Sequence, residues 1–440
     1  MPDLAAVLDR TESLCPICLA VIPADVVERG GKVFMNKVCP DHGPHSACLW
    51  PDAEHYRWFQ AFSMPSWPPV VQTEKRAGCP LDCGLCGDHV KHPTVAEIEV
   101  TWRCNLRCPV CFMAAADAPP DPGIDTIAAM WDIIRRETGP QTAVQLTGGE
   151  PTVRADLPEI VRLGRERGFN AIEVNTNGIV IGRDPGYVRT LQQAGISGIY
   201  LQFDGLTEGV YEAIRGSDLL DTKLRAIEHC REAGVQVVLA MTVIWGINHE
   251  QLGRVLRFAL ENQDVIAGVA FQPAFTSGRF DVAPERRLSM GDVVFMLAEQ
   301  SGGMLAPYDF WPLGCSHPLC SCATYILDHQ RQHVPFTRTI TPDEYIRSFD
   351  PASPQGSIFA DIAARKLPEL GAGLTVVVMN YMDALTADVK RLKECSMVEV
   401  MPDGRLIPFC AYQLSGSDGR RLYPAWAQTA GLRPVEAVHA

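Results

Sequence analysis

Residues 96–111 read AEIEVTWRCNLRCPVC, and residues 143–151 read AVQLTGGEP. Each begins as a short apolar run, which is typical of a buried strand, and ends in a loop of chemically distinctive residues. Between them lies TIAAMWDIIRRE at 126–137, whose apolar residues recur at helical spacing. Strand, helix and strand in this order predict two parallel strands joined by a right-handed crossover. Both loops are therefore expected at the same carboxyl edge of one sheet, where α/β proteins bind ligands.

The same alternation of strands and helices continues as far as residue 273. Four further β-rich runs follow, separated by amphipathic helical stretches: AIEVN, GIYLQF, VQVVLAMTV and IAGVAFQ. Six strands alternating with helices predict an α/β fold with a parallel sheet. We expect six β/α units over residues 93–273, with the ligand site at the carboxyl ends of the strands; the pattern alone does not say whether the sheet closes into a barrel.

The two loops carry residues that suit an iron–sulfur cluster and a ligand bound beside it. Cys104, Cys108 and Cys111 follow the first strand directly. Three thiolates at this spacing can hold three irons of a 4Fe–4S cluster and leave the fourth iron open to a small molecule. A zinc loop with a distant fourth ligand is the alternative. In GGEP at 148–151, the glycines would let the backbone approach a ligand closely, and the carboxylate could accept from an ammonium group.

The cysteine triplet and GGEP together resemble the radical S-adenosylmethionine (SAM) superfamily, as do VNTNG, LQFDG and AIRG further along the chain. The resemblance covers residues 93–273 and implies that these six β/α units form a partial barrel. It implies that the reduced cluster cleaves SAM to methionine and a 5′-deoxyadenosyl radical, which abstracts hydrogen from an sp³ carbon. The cluster ligands that it implies are Cys104, Cys108 and Cys111, and the SAM-binding residues are Gly148, Gly149, Glu150, Pro151, Asn175, Asp204 and Arg215.

Two of these residues receive a specific role from the resemblance, and one neighbouring position departs from it. Arg215 would pair with the SAM carboxylate, and Asn175 would reach the ribose. The superfamily usually has an aromatic residue just before the third cysteine, near the adenine. Here that position is Val110, and the aromatic Phe112 comes after the cysteine.

The C-x3-C-x2-C spacing also occurs upstream, at Cys79, Cys83 and Cys86. No strand precedes this copy and no GGEP follows it, so we predict an auxiliary iron–sulfur cluster rather than a second SAM site. His89 and His92 are candidates for a further ligand. A zinc loop is again the alternative.

The N-terminal region carries a pair of chelating motifs. Cys15 and Cys18 form one, and Cys39 and His42 form the other. This pattern predicts a tetrahedral ion with three sulfur ligands and one nitrogen ligand. Zinc is the expected metal and a rubredoxin-like iron is the alternative. Cys48 could replace His42 as the fourth ligand.

The C-terminal region is expected to hold a second auxiliary 4Fe–4S cluster. Cys322 is excluded because it would crowd its neighbour on a single cluster, and Cys230, in LRAIEHCREAG, is expected to pack in a helix. The predicted ligands are Cys315, Cys320, Cys395 and Cys410. The whole chain is thereby divided into a zinc-knuckle or rubredoxin-like domain (1–75), an auxiliary cluster loop (76–92), a radical SAM core (93–273) and a C-terminal iron–sulfur region (274–440).

Composition limits the classes of function. The chain has 440 residues and a net charge of −13, which disfavours nucleic-acid binding because phosphate contacts need clustered Lys and Arg. We identify no leader at the N-terminus and no apolar run of the roughly 18 residues that span a membrane. We therefore expect a cytoplasmic protein, in which the 16 cysteines are metal ligands or free thiols rather than disulfides.

The arrangement of CPIC, CPDHG, two cysteine triplets, GCSHPLC and DGRLIPFCAY resembles the archaeal tetraether lipid synthase group. Relatives in that group carry the name cobalamin-independent pterin methyltransferase. The resemblance implies carbon–carbon bond formation, and our main expectation is the coupling of two lipid chains, with the first cysteine triplet holding the radical between steps. The alternative is methyl or alkyl transfer to a pterin or another small molecule. A second alternative, of a different class, is a non-catalytic iron–sulfur electron-transfer or binding protein.

The implied partners are a lipid or small-molecule substrate and a reductant such as ferredoxin or flavodoxin. The expected cofactors are SAM, the SAM-binding cluster, one or two auxiliary 4Fe–4S clusters, and zinc or iron in the N-terminal knuckle. A lipid substrate leaves transient membrane contact open.

Overall fold

The structure is a computed structural model that describes residues 6–114, 120–329, 332–349 and 358–423. Part of the N-terminal stretch for which we predict no leader lies outside these ranges. Its strands are β1 (Ala6–Leu14), β2 (Val21–Arg29), β3 (Lys32–Cys39), β4 (Gly43–Trp50), β5 (Val95–Thr101), β6 (Val110–Cys111), β7 (Ala143–Gly148), β8 (Ile172–Thr176), β9 (Gly198–Gln202), β10 (Val237–Val243), β11 (Ile266–Pro273), β12 (Arg279–Phe280), β13 (Trp311–Pro312), β14 (Ser321–His329), β15 (Gln332–Pro335), β16 (Leu374–Met379), β17 (Met397–Val400) and β18 (Leu406–Pro408).

The α-helices connect and cover these strands. They are α1 (Ala53–Gln60), α2 (Ile124–Glu137), α3 (Leu157–Glu166), α4 (Ile179–Arg183), α5 (Pro185–Ala194), α6 (Glu208–Arg215), α7 (Leu220–Ala233), α8 (Leu252–Glu261), α9 (Met290–Gln300), α10 (Pro342–Ser348), α11 (Ile358–Lys366), α12 (Val389–Lys393) and α13 (Phe409–Gln413). Within the described ranges, no helix combines the length and the apolar character that crossing a membrane requires.

A large mixed sheet forms the centre of the molecule. Its strands follow the order β13-β14-β16-β11-β10-β9-β8-β7-β5-β17-β18, with β15 paired to β14. The six strands predicted over residues 93–273 are β5 and β7 to β11, and they pair in parallel with their neighbours in chain order. The predicted α/β class with a parallel sheet is therefore confirmed.

The C-terminal region extends this sheet at both edges. Strand β16 pairs in parallel with β11, and β17 pairs in parallel with β5. The parallel part of the sheet thus has eight strands rather than six. We expected the C-terminal region to stand beside the core. It instead supplies two strands that hydrogen-bond to the edges of the core sheet.

Helix α2 shows how the outer layer is built. Its apolar residues Ile127, Met130, Trp131 and Ile134 recur at helical spacing and are almost fully buried. They belong to the same hydrophobic core as Ile98 of β5. Burying each such side chain contributes roughly 1.5–3 kcal/mol, so this face fixes α2 against the sheet.

The N-terminal strands β1 to β4 form an antiparallel sheet in chain order. This small domain shares its apolar core with the rest of the molecule through Trp50 and Phe59. The buried Lys37 ammonium donates to the Ser13 hydroxyl at 2.8 Å and to the Ala384 carbonyl at 2.7 Å, which joins the domain to the C-terminal region. Docking on the rest of the molecule therefore helps to stabilise this small domain.

Candidate active site and metal centres

A cavity of about 210 Å³ opens among the loops that follow the parallel strands. Pro151 and Asp204, also predicted to bind the cofactor, are buried behind its lining. The predicted site residues that do line it are Cys104, Cys108, Cys111, Gly148, Gly149, Glu150, Asn175 and Arg215.

Two arginines fix the cysteine loop. Arg215 donates to the Val110 carbonyl at 3.0 Å, and Arg279 donates to the Cys108 carbonyl at 2.9 Å. Strand β6, within this loop, also pairs antiparallel with β12. Since the loop backbone is held from two sides, the direction of its three thiols is set by the surrounding fold.

The donor set of this loop fits a 4Fe–4S cluster with one open iron. All three thiols line the cavity. Burial raises the pKa of Cys108, and the nearby guanidinium of Arg215 partly opposes that increase. Burial raises the pKa of Cys104 to about 12, so this thiol is protonated unless a metal binds it. A cationic neighbour suits the negative charge that three thiolates bring to a cluster.

Phe112 supplies the aromatic surface that Val110 lacks. Its ring lines the cavity and stacks against Phe275 with ring centres 5.8 Å apart. Phe409 packs edge-on against Phe112 at 5.8 Å. An aromatic wall therefore exists beside the cysteines, although it comes from the residue after the third cysteine.

The two glycines of GGEP have a packing role that differs from the predicted one. Gly148 has a φ of +127°, and a Cβ there would lie 2.0 Å from the Thr101 carbonyl oxygen. A Cβ on Gly149 would lie 2.4 Å from the Arg103 carbonyl oxygen. Only glycine allows this approach. The close contact that we predicted with a ligand is thus made with the start of the cysteine loop.

The Glu150 carboxylate is engaged by the protein itself. It accepts hydrogen bonds from the Thr152 hydroxyl at 2.5 Å, the Thr176 hydroxyl at 2.6 Å and the Asn177 backbone N–H at 2.7 Å. The side chain is 1% exposed. It joins the ends of β7 and β8 at the cavity, which fixes the shape of the predicted SAM site.

Asp204 acts on the cavity through Arg215 rather than by lining it. Its fully buried carboxylate accepts from the guanidinium at 2.7 and 2.9 Å and from the Thr242 N–H at 3.2 Å. Arg215 also reaches the Thr242 hydroxyl at 3.1 Å. Asp204 is therefore a positioning residue. The charge of Arg215 that was predicted for the SAM carboxylate is shared with an internal partner.

Asn175 lines the cavity and carries a buried amide oxygen with unused hydrogen-bonding capacity. Its amide nitrogen donates to Gln145 at 3.0 Å. Its buried Oδ1 has no hydrogen-bond partner among the described residues. Such an atom gains by meeting a donor from a ligand, since an unpartnered buried polar group costs about 1–3 kcal/mol. This geometry fits the predicted contact with a ribose hydroxyl.

The N-terminal motifs form a compact metal-binding group. The four ligand atoms of Cys15, Cys18, Cys39 and His42 all lie within 4.8 Å of one another. Cys18 and Cys39 Sγ are 3.9 Å apart, and His42 Nδ1 is 3.4 Å from Cys39 Sγ and 3.6 Å from Cys15 Sγ. A tetrahedral zinc with bonds of about 2.3 Å to sulfur and 2.0 Å to nitrogen requires edges of about 3.8 Å between two sulfurs and about 3.5 Å between sulfur and nitrogen. Cys48 instead contacts the Trp50 carbonyl.

The first triplet is brought together away from the main cavity. Cys79, Cys83 and Cys86 line a small pocket with His89. The His89 Nε2 is 2.9 Å from the Cys395 carbonyl, and His92 is turned toward the Thr138 carbonyl at 3.2 Å. His89 is thus the histidine placed beside this triplet.

The C-terminal cysteines converge behind the wall of the main cavity. Burial raises the pKa of Cys395, and the nearby thiols of Cys410 and Cys320 raise it further. Burial also raises the pKa of Cys315, with a smaller increase from Cys320. Phe409, which lines the cavity, directly precedes one of these cysteines. Cys322 packs in the hydrophobic core instead, as does Cys230.

Several cavity residues were missed by sequence reasoning. They are inward-facing polar side chains inside apolar strand runs, and that alternation was the available signal. Apolar neighbours such as Ile98, Val144 and Val174 face the helices and are fully buried. The missed strand residues include Glu97, Gln145, Tyr200, Gln202, Thr242 and Gln272; Tyr381, in the loop after β16, was missed as well.

Comparisons with known proteins agree with this geometry. The profile of the radical SAM superfamily matches residues 98–259, and that of the HMPTM N-terminal zinc ribbon domain matches residues 7–51. A 7,8-dihydro-6-hydroxymethylpterin dimethyltransferase of Methanocaldococcus jannaschii is 35% identical, over 92% of this chain and 93% of that protein. An Fe-coproporphyrin III synthase of Methanosarcina barkeri is 32% identical over 35% of this chain and 37% of its own length.

Among solved structures, Streptococcus suis SuiB bound to S-adenosylmethionine has a TM-score of 0.47 and 14% identity, and covers 74% of this chain and 62% of that one. The superfamily implies SAM and a 4Fe–4S cluster, and the ribbon match supports zinc at the N-terminal site. The cysteine triplet, the GGEP turn and the near full-length relative all agree. The chain therefore belongs to the radical SAM superfamily, in the family that includes the pterin dimethyltransferase of M. jannaschii.

Proposed function

We propose that this enzyme methylates a reduced pterin, with 7,8-dihydro-6-hydroxymethylpterin as the first candidate. The name of the relative that matches along nearly the whole chain supports this substrate. It also supports the methyltransferase alternative over the coupling of lipid chains. The comparisons provide no support for a role in lipid biosynthesis.

The polar interior of the cavity is the observation that carries the proposal. Every central strand from β5 to β11 contributes a polar side chain to the lining, including Glu97, Gln145 and Gln272. Some of these groups also bond one another or neighbouring side chains, but a hydrocarbon chain would leave their remaining hydrogen-bonding capacity unused, at a cost of about 1–3 kcal/mol for each unpartnered buried group. A pterin carries ring nitrogens, a carbonyl and an amino group that can make these bonds. The lining therefore suits a small polar heterocycle.

The residues at the cavity mouth would position SAM. Cys104, Cys108 and Cys111 would hold the cluster, and the open Oδ1 of Asn175 and the guanidinium of Arg215 would face the bound SAM. When bound, these cofactors supply a carbon-centred radical able to abstract hydrogen. The aromatic rings at the mouth would exclude water from that reaction.

The auxiliary centres are part of the same proposal. We assign one cluster to Cys79, Cys83 and Cys86, and another to the four predicted C-terminal cysteines. The division of the chain at residues 75, 92 and 273 also remains a proposal. Replacement of all three cysteines of the first triplet by alanine should leave 5′-deoxyadenosine formation and abolish the methylated product. Unchanged product would contradict the prediction that the first triplet holds the radical between steps.

The decisive experiment is anaerobic turnover of the reconstituted, reduced enzyme with SAM. The dihydropterin or a phospholipid extract is supplied as substrate, and a deproteinised cell extract supplies any further methyl donor. Mass spectrometry should show methylated pterin and a rise in 5′-deoxyadenosine with the pterin alone. A rise with lipid alone would refute the proposal and restore chain coupling.

A matched pair of cysteine variants controls this experiment. Cys108→Ala removes a proposed cluster ligand and should abolish 5′-deoxyadenosine formation. Cys48→Ala removes a half-buried thiol that contacts the Trp50 carbonyl, and should retain 5′-deoxyadenosine formation. Equal activity of the two variants would contradict the assignment of the cluster loop.

A further inference from the structure

Four polar side chains lie in register on four neighbouring strands inside the sheet. Glu399 of β17 is opposite Glu97 of β5, which is opposite Gln145 of β7, which is opposite Glu173 of β8. Neighbouring strands are about 4.8 Å apart, so three carboxyl groups and one amide share a single layer. Acidic groups opposite one another are destabilising unless protons or ligands compensate them. Such a row in a buried sheet therefore calls for a functional explanation.

This acidic row lies deeper than the cysteine loop. Glu97 precedes Thr101, the last residue of β5, by four residues, or roughly 13 Å along the strand. Glu97 and Gln145 line the cavity, together with Tyr200 of β9 and Gln272 of β11. The row is thus the floor of the cavity, and the predicted SAM site is its mouth.

Glu97 is the carboxyl group of the row that lines the cavity, whereas Glu173 and Glu399 do not line it. Glu97 and Glu399 hydrogen-bond each other, which requires a proton on one of them. Burial raises the pKa of Glu97 to about 8 and raises the pKa of Glu399 well above its ordinary value. Glu399 lies behind Glu97, within 3.5 Å of the Gln413 amide nitrogen. With a pKa of about 8, Glu97 is largely protonated near pH 7, and two N–H donors from a ligand would stabilise its carboxylate form while Glu399, whose Oε1 accepts from Gln413, holds the proton of the pair.

The rest of the row is already paired. The Gln145 amide nitrogen donates to the Glu173 carboxyl at 2.9 Å, and its oxygen accepts from Asn175 at 3.0 Å. Burial raises the pKa of Glu173. Gln145 is fixed by these two bonds, so Glu97 is the acidic group of the floor that can accept from a ligand.

We propose that Glu97 binds the amidine edge of the pterin substrate, formed by its 2-amino group and its N3–H. This inference rests on the proposed function. The edge offers two parallel N–H donors, and a carboxylate accepts such a pair in the bidentate geometry it also uses for guanidinium groups. Binding at the floor would point the opposite end of the ring toward the mouth, where the radical is generated. Glu97 would then set both the choice of heterocycle and its direction.

The test compares three ligands of the reconstituted holoenzyme with SAM bound. They are 7,8-dihydro-6-hydroxymethylpterin, its analogue lacking the 2-amino group, and its N3-methyl derivative, and anaerobic fluorescence titration gives each Kd. The unmodified enzyme should bind the parent about 10- to 100-fold more tightly than either analogue, as expected for hydrogen bonds to a charged group. Glu97→Gln should reduce that preference to a few-fold. Glu159→Gln, an exposed change on α3, should leave it intact.

The outcomes separate this inference from the proposed function. If the unmodified enzyme binds the parent and both analogues equally, Glu97 does not read the amidine edge, while the function stands. Glu97→Gln that keeps the full preference would overturn the inference in the same way. If the enzyme binds none of the three ligands, the proposed function fails and the inference fails with it. If Glu97→Gln does not fold, the three Kd values of the unmodified enzyme still test whether the amidine edge of the pterin is recognised.

Discussion

The ion pair between Asp204 and Arg215 offers the most direct test of how the site is positioned. The Asp204 side chain is fully buried and that of Arg215 is 10% exposed. In Asp204→Ala the guanidinium loses its counter-charge inside the protein, which costs about 3–5 kcal/mol. The Thr242 N–H, bonded to Asp204 at 3.2 Å, loses its acceptor as well, for roughly 1 kcal/mol more.

This loss should be visible in thermal unfolding. An unfolding entropy of about 2.1 cal/mol/K per residue over 440 residues makes each kcal/mol worth roughly 1 °C in Tm, so Asp204→Ala should lower Tm by roughly 4–6 °C. Circular dichroism at one fixed scan rate gives the comparison. Because Arg215 also holds the Val110 carbonyl in the cysteine loop, the variant should bind less iron after reconstitution.

The double variant Asp204→Ala with Arg215→Met supplies the control. Removing both charges eliminates the unpaired guanidinium, so the double variant should be more stable than Asp204→Ala alone. A Tm decrease of less than about 1 °C for Asp204→Ala would refute the reasoning, since a loss of roughly 4 kcal/mol should lower Tm by several degrees. A double variant that unfolds at the temperature of Asp204→Ala would refute it as well.

Three further predictions concern other parts of the molecule. Gly149→Ala would force a Cβ to within 2.4 Å of the Arg103 carbonyl oxygen. The reconstituted variant should therefore lose the absorbance of the SAM-binding cluster and keep its zinc content. Full absorbance would contradict this packing role. His42→Ala should weaken zinc binding by more than about 100-fold in a chelator competition, since loss of a direct ligand exceeds the effect of outer groups, whereas Cys48→Ala should not change it. Burial lowers the pKa of Lys223 to about 7. The unfolded chain therefore binds a proton that the folded chain releases between pH 7 and about 10.5, and stability against urea should rise with pH through that window. Lys223→Met should flatten the rise, and an unchanged slope would show that Lys223 is not its source.

Local spacing predicted the parts of the site that local backbone geometry determines. Cys104, Cys108 and Cys111 lie in one loop, and their spacing alone indicates a shared ligand. The N-terminal motifs were predicted for the same reason, because each chelating pair lies in one turn. His42 was favoured over Cys48 in the sequence and also in the structure.

Roles that depend on packing could not be predicted in this way. Asp204 was expected at the cofactor, yet its carboxylate pairs with Arg215 because α6 brings the guanidinium over the end of β9. The meeting of Glu97 with Glu399 depends on strand β17 joining β5 from the far end of the chain. Sequence periodicity gives the faces of each strand but not which distant strand becomes its neighbour.

The origin of β16 and β17 in the C-terminal region has a consequence for biosynthesis. During translation, β5 and β11 are made long before the strands that cover them, so the nascent core has two bare sheet edges. Bare edges readily pair with other chains, and contacts between distant segments form slowly. A chain interrupted before residue 374 would keep both edges open. Truncated products of this protein should therefore aggregate, and its yield in cells should depend on chaperones that shield the edges until synthesis is complete.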